Sequence, residues 1–359
     1  MKKIAARKGM PDVHLSKDEF NRRFRNRFFD PAFGKNEAAL ATIIDTAWKG
    51  YDDYRKNPRK MPAGPEFAKP DAKLPVEWLE TRRRIKEAEA RQKNPRSPPR
   101  ILLINGSMRS DHTCPGEISK SWRLLQIAKK VIEAEKEFEV EVLDLSRLTS
   151  EYGRNIHPCK ACVSTSMPLC HWPCSCYPNF AMGQVNDWMS DIYPMWAAAH
   201  GVMIVTPVNW YQTPAGLKAM IDRLVCADGG NPDPTTTDGK DPELAKQLEM
   251  KGWGYPRHLA GRLFSVVVHG DTAGVETLRR SLADWLKDMG LIQAGGDAVL
   301  DRYIGYFGTY AESHLDLDKD KAIQEEVRNA ARALVEAVKL THAGKFRQPD
   351  AKLEEVRPK

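Results

Sequence analysis

From residue 100 onward, short apolar runs alternate with stretches of helical period, and this alternation constrains the fold more than any other feature. "RILLIN" (100–105), "FEVEVLDLS" (138–146), "GVMIVTPV" (201–208), "RLFSVVVHG" (262–270) and the weaker "GGDAVLDRY" (295–303) read as strands. Helical spacing follows in "SKSWRLLQIAKKVIEAE", "AGLKAMIDRLVCA", "GVETLRRSLADWLKDMG" and "DKAIQEEVRNAARALVEAVKLTHAG". A further helix candidate, "QVNDWMSDIYPMWAAAH", carries Pro194 in its interior. Strands joined by helical crossovers require a parallel sheet covered on both faces, and "RILLIN" is apolar throughout, as a doubly buried strand should be. In such sheets ligands sit at the carboxyl ends of the strands.

Residues 1–98 lack this alternation. Ser16, with Glu19 three residues on, opens a helix in a capping-box pattern. "NEAALATIIDTAWKGYDDYRK" and "VEWLETRRRIKEAEARQK" predict two more helices, separated by an extended connection with five prolines, "NPRKMPAGPEFAKPDAKLP". The expected organisation is a helical basic extension and linker over 1–98, an α/β domain over 99–341 with a long polar insertion at 227–262, and a tail at 342–359. The insertion, with Trp253 and Tyr255, reads as a lid or subunit contact.

Charge is uneven. Residues 1–100 carry 25 Lys and Arg against 14 Asp and Glu, whereas the whole chain nets only +7. A basic head on a mildly acidic body suits docking on a partner subunit. Arg22, Arg23, Arg25 and Arg27 read as a solvated helix face beside an apolar stripe, rather than as a nucleic-acid surface. No run is long and apolar enough to cross a membrane, and no apolar segment follows the basic N-terminus, so a cytoplasmic setting is expected.

The loop after the first strand, Gly106-Ser107-Met108-Arg109, lacks G-x-G-x-x-G, which argues against a dinucleotide fingerprint. Hydroxyl groups and one Arg leading into a helix suit a terminal monophosphate instead.

Three loops, "NGSMRSDHTCPGEISKS", "TPVNWYQTPAGLKAMIDRL" (206–224) and "HGDTAG" (269–274), resemble the flavodoxin-like superfamily, and within it the NAD(P)H-dependent FMN reductase family. The resemblance covers roughly 99–340. It implies a flavodoxin-like doubly wound five-stranded parallel sheet in the order 2-1-3-4-5. It also implies FMN as cofactor, NADH or NADPH as donor, and assembly as a homodimer or homotetramer. Ser107, Arg109, Thr113, Ser119 and Lys120 would hold the FMN phosphate and ribityl chain. Pro207, Val208, Asn209, Trp210 and Tyr211 would line the ring, and His269, Gly270 and Asp271 would approach it from the third loop. The first loop is longer than the family's, with Cys114 and Pro115 inserted.

Five of the seven cysteines fall within 18 residues: Cys159, Cys162, Cys170, Cys174 and Cys176, with His157 and His171 nearby. Their spacing is similar in part to the compact motif of iron–sulfur flavoproteins. Three readings stay open: a [4Fe-4S] cluster on four thiolates relaying electrons to or from FMN, a tetrahedral zinc, or metal-free and redox-active thiols. Cys226, within a helix, reads as core. Tyr303, Tyr306, Phe307 and Tyr310 suit either core packing or a substrate surface.

The expected function is an FMN-dependent oxidoreductase passing electrons from NAD(P)H to a flavin, quinone or nitroaromatic. The alternative is a non-catalytic electron carrier between protein partners. The flavin carries the chemistry in both, so no catalytic side chain is expected.

Overall fold

A computed structural model of the 359-residue chain describes residues 15–52, 60–111, 118–177, 187–306, 309 and 312–347. In chain order the elements are α1 (Lys17–Arg25), α2 (Glu37–Asp52), β1 (Lys60–Pro62), β2 (Lys73–Pro75), α3 (Val76–Lys93) and β3 (Arg100–Asn105). Next come α4 (Lys120–Glu133), β4 (Glu139–Asp144), α5 (Arg147–Ser150), α6 (Met189–Ala198), β5 (Gly201–Pro207), α7 (Ala215–Arg223) and α8 (Pro242–Met250). The chain ends with β6 (Leu263–Gly270), α9 (Val275–Asp288), β7 (Ile292–Gln293), β8 (Val299–Tyr303), α10 (Ser313–Lys319) and α11 (Lys321–His342). Two compact units emerge, each assembled from three separated segments.

One unit comprises Ile85–Glu151, Pro194–Lys218 and Leu259–Lys359 and contains the parallel sheet. Its strands run β4-β3-β5-β6, with β7 and β8 both on the outer edge of β6. The order matches the flavodoxin-like expectation. Ile101 sits beside Val140 on one side and Gly201 on the other, and Val202 beside Phe264. The expected fifth strand is interrupted: β7 pairs with the start of β6, Gly295 turns the chain at φ 141°, and β8 resumes pairing at Val266. That φ lies in a region glycine alone adopts without strain. One face of the sheet packs Leu103, Met203 and Val267 against Leu124, Ala128 and Ile132 of α4 and Val327, Leu334 and Val338 of α11. Gly201 makes the approach of α11 possible, since a Cβ there would lie 2.8 Å from Val338 Cγ2.

The other unit comprises Met1–Arg84, Tyr152–Tyr193 and Ala219–His258. Helices α1 and α2 close a small core of Phe20, Phe24, Leu40 and Ile44. Ser16 Oγ accepts from Glu19 N at 3.2 Å as expected, whereas the Glu19 carboxylate bonds Arg22 and Arg23. The proline-rich connection is not simply extended. It folds back as the antiparallel ribbon β1–β2 around Phe67, whose ring meets Trp78 at 6.2 Å. Trp78 in turn donates to Pro173 O at 2.9 Å. Pro194 stays inside α6. Lacking an N–H, it leaves the Ser190 carbonyl without its helical donor, and Arg84 Nη1 reaches that oxygen at 3.4 Å. The 227–262 insertion contains a helix the sequence reading did not anticipate, α8, capped by Asp241 Oδ1 on Glu243 N (2.9 Å) and Leu244 N (3.1 Å).

No described helix is long and apolar enough to cross a membrane.

Candidate functional site

At the carboxyl ends of β3, β5 and β6 lies a cavity of about 280 Å³. It brings together Ser107, Arg109, Ser119, Lys120, Pro207, Val208, Asn209, His269, Gly270 and Asp271, residues from all three expected loops. Thr113 lies outside the described residues, as do Phe307 and Tyr310 of the aromatic stretch. Trp210 and Tyr211 do not line this cavity and are 92% and 59% exposed.

The first loop is fixed from beneath by Asn105, a residue that sequence reasoning passed over. Its fully buried amide donates to Asp144 Oδ1 at 2.7 Å and to Arg109 O at 3.1 Å, and accepts from Ser107 N at 3.2 Å. Asp144 Oδ1 also accepts from Ser146 N and Oγ. Polar groups this deep are tolerated because each finds a partner. Gly106 lets β5 pass close by, since a Cβ there would lie 2.7 Å from Thr206 Cβ.

Ser119 caps α4, accepting from Trp122 N at 3.3 Å, and its hydroxyl lies 3.4 Å from Ser107 Oγ. Two hydroxyls 3.4 Å apart, Arg109, Lys120 and the start of a 14-residue helix all line the cavity. This donor set fits a phosphate, because the first turn of a helix carries amides the helix does not itself use and its dipole favours an anion. Burial lowers the Lys120 pKa, while the Asp271 carboxylate opposes the shift.

At the end of β6, His269 Nε2 and Ser121 Oγ are 2.7 Å apart, and His269 Nδ1 is buried with no hydrogen-bond partner. Burial first, then the Lys120 charge, pushes this imidazole down to about 3, so it is neutral near pH 7. Ser121 escaped the sequence reading because its partner is 148 residues away. Gly270 provides close approach, since a Cβ there would stand 2.5 Å from Val208 Cγ1.

The cysteine-rich segment lies in the other unit. Its five thiols are close enough for their charges to interact. Cys162 Sγ and Cys176 Sγ are 3.5 Å apart, and Lys240 Nζ sits 3.5 Å from Cys162 Sγ and 2.9 Å from Leu169 O. The Cys176 contact, acting against burial and with the Lys240 ammonium, holds the Cys162 thiol below its usual range, while the same contact pushes Cys176 up. Burial alone would lower Lys240, but the surrounding thiolates outweigh it and raise it. His171 is engaged at both ring nitrogens, by Ser175 Oγ at 2.6 Å and Thr237 Oγ1 at 3.1 Å. Cys226 is fully buried core, as expected. Among the described residues, no three or more His, Cys, Asp or Glu side chains are arranged to hold a metal ion. As placed, the described thiols form no such group, so they do not fit the expected ligand set.

Among solved structures, the chain is similar to RosB bound to the intermediate 8-demethyl-8-formylriboflavin-5'-phosphate (14% identity, 69% of this chain and 82% of that one, TM-score 0.46). It is also similar to an apo NADH:FMN oxidoreductase (15% identity, 70% and 92%, TM-score 0.37). A curated relative, the "Iron-sulfur flavoprotein" of Methanosarcina thermophila, is 30% identical over 126 residues, 35% of this chain. The chain spans about half the length of that relative (52%). The NADPH-dependent FMN reductase family matches residues 99–301, more than half of the chain and the stretch that builds the sheet and all three loops. With that match on a flavodoxin-like strand order, the chain belongs to the NADPH-dependent FMN reductase family of oxidoreductases.

Proposed function

We propose that the protein uses FMN to pass electrons from NADH or NADPH to a small acceptor of the flavin, quinone or nitroaromatic class. The observation that supports this reading best is the single cavity in which all three strand-end loops meet. Ser107, Arg109, Ser119 and Lys120 would hold the phosphate by hydroxyls, two cations and the start of α4. Pro207, Val208 and Asn209 would form one wall for the ring, with Gly270 packed against Val208 beside it. FMN, when bound, supplies the hydride and electron transfer, and the chain supplies position and electrostatics. Neutral His269, held by Ser121, adds no charge to that wall, so the cationic character of the site comes from Arg109 and Lys120. Like other members of such families, the chain would work as a homodimer or homotetramer, with its basic head against the acidic body of a second copy.

The test is FMN titration followed by mixing with NADH or NADPH without air. One FMN per chain should bind, the visible flavin band should bleach within a turnover, and a quinone should restore it. Arg109→Ala should weaken FMN binding by roughly tenfold or more, the loss of one charge-assisted phosphate contact. Flavin that binds but is never reduced by either nucleotide would overturn the reductase reading in favour of an electron carrier.

A further inference from the structure

We propose that Cys162 and Cys176 form a reversible dithiol–disulfide site that reacts with hydroperoxides, with Lys240 assisting the attacking sulfur.

Geometry selects this pair from the crowd. Cys162 Sγ and Cys176 Sγ lie 3.5 Å apart although fourteen positions separate them in sequence, so a bond between them would close a loop rather than a strained neighbouring pair. The sulfurs must approach by about 1.5 Å to reach the roughly 2.05 Å of a disulfide, a movement within reach of side-chain rotation. Cys159, Cys162, Cys174 and Cys176 are all partly exposed while Cys170 and Cys226 are buried, so exposure narrows the choice to four and the ammonium beside Cys162 decides it. Lys240 Nζ, at 3.5 Å from Cys162 Sγ and anchored on Leu169 O, places positive charge beside one sulfur of the pair and makes Cys162 the nucleophile. No three or more ligating side chains are arranged for a metal among the described residues, so the centre is read as thiols rather than as ligands.

The chemistry balances without any further cofactor. Cys162 sulfur attacks a peroxide oxygen, the O–O bond breaks, and the leaving oxygen takes a proton and departs as water or an alcohol, leaving a sulfenic acid. Cys176 sulfur then attacks the Cys162 sulfur, the S–OH bond breaks, and the hydroxyl leaves as water with the Cys176 proton. Two thiols are oxidised, one hydroperoxide is reduced by two electrons, and a dithiol reductant reverses the change.

The full-length protein, purified without air, should be treated with one equivalent of hydrogen peroxide, alkylated, and mapped by mass spectrometry. The expected product is a peptide joining Cys162 to Cys176, lighter by two hydrogens and released by dithiothreitol. Cys176→Ser should leave Cys162 as a sulfenic acid that dimedone captures. Lys240→Met should slow oxidation by about tenfold while still giving the same bond. Because the decisive map is made on the unaltered chain, a variant that misfolds does not spare the proposal. Stoichiometric iron with sulfide, or zinc, on the purified protein would overturn it. So would oxidation that joins other cysteines, or that proceeds to sulfinic acid without any Cys162–Cys176 bond.

Discussion

Trp210 and Tyr211 occupy the two central positions of a tight turn in which Asn209 and Gln212 exchange backbone hydrogen bonds at 2.9 Å in both directions. Their φ values, 47° and 69°, are those of a turn that normally takes Asn and Gly, and bulky side chains are strained there. Strain of this kind persists where it serves a site, and the turn directly follows the cavity residues Pro207–Asn209. Replacing the pair, Trp210→Asn with Tyr211→Gly, should raise unfolding stability by about 1–3 kcal/mol, measured by urea titration. It should also reduce nicotinamide-driven turnover, since the strained turn adjoins the cavity residue Asn209 and holds its backbone. Unchanged turnover would mean that the two rings serve something else. The hydroxyls and cations of the first loop could be read from the sequence because their residue types cluster locally. Asn105, Ser121 and Lys240 could not, because each is defined by partners 39, 148 and 78 residues away.

Strands were legible as short continuous apolar runs, because both faces of the sheet are covered, and crossover helices by a period of 3.6 that survives in a single sequence. The ribbon β1–β2 and helix α8 were not: the first is written in prolines that suggest only an extended chain, and the second is too short and polar to stand out. Several elements are also tuned by buried imidazoles. Burial pushes His269, at the end of β6, to about 3 and His200, just before β5, to about 4, and it holds His171 well below its usual value. His200 Nδ1 accepts from Arg100 N at 3.0 Å, as the neutral ring requires. Unfolded, each would take up a proton near pH 6.5, so between that value and its folded pKa the unfolded chain binds more protons. Their stabilising contribution is therefore complete above about pH 6.5 and is lost as pH falls toward 4 and below, at up to roughly 1.4 kcal/mol per pH unit for each site. Urea midpoints measured from about pH 7.5 down to about pH 5 should follow this slope, and His269→Gln should flatten it. An identical slope in the variant would remove His269 from the account.

The two compact units divide the molecule in a way no local pattern announces, because each draws on three stretches of chain separated by the other. At the N-terminus the α1–α2 pair has its own core, yet Phe29, Phe33 and Ile43 are 87%, 42% and 51% exposed. Apolar side chains left on a basic head fit the proposed contact with a second copy. Removing residues 1–52 should leave FMN binding intact and shift the protein to a smaller species on sizing. An unchanged elution volume, corrected for the lost mass, would refute that role for the head.

The interleaving also bears on synthesis. The last segment of the unit with the cysteines ends at His258, and the strand Leu263–Gly270 that completes the cofactor wall comes after it. A chain leaving the ribosome N-terminus first thus has its full complement of clustered thiols before the proposed flavin cleft can exist. The proposed sulfur site is therefore complete along the chain before the proposed flavin site is.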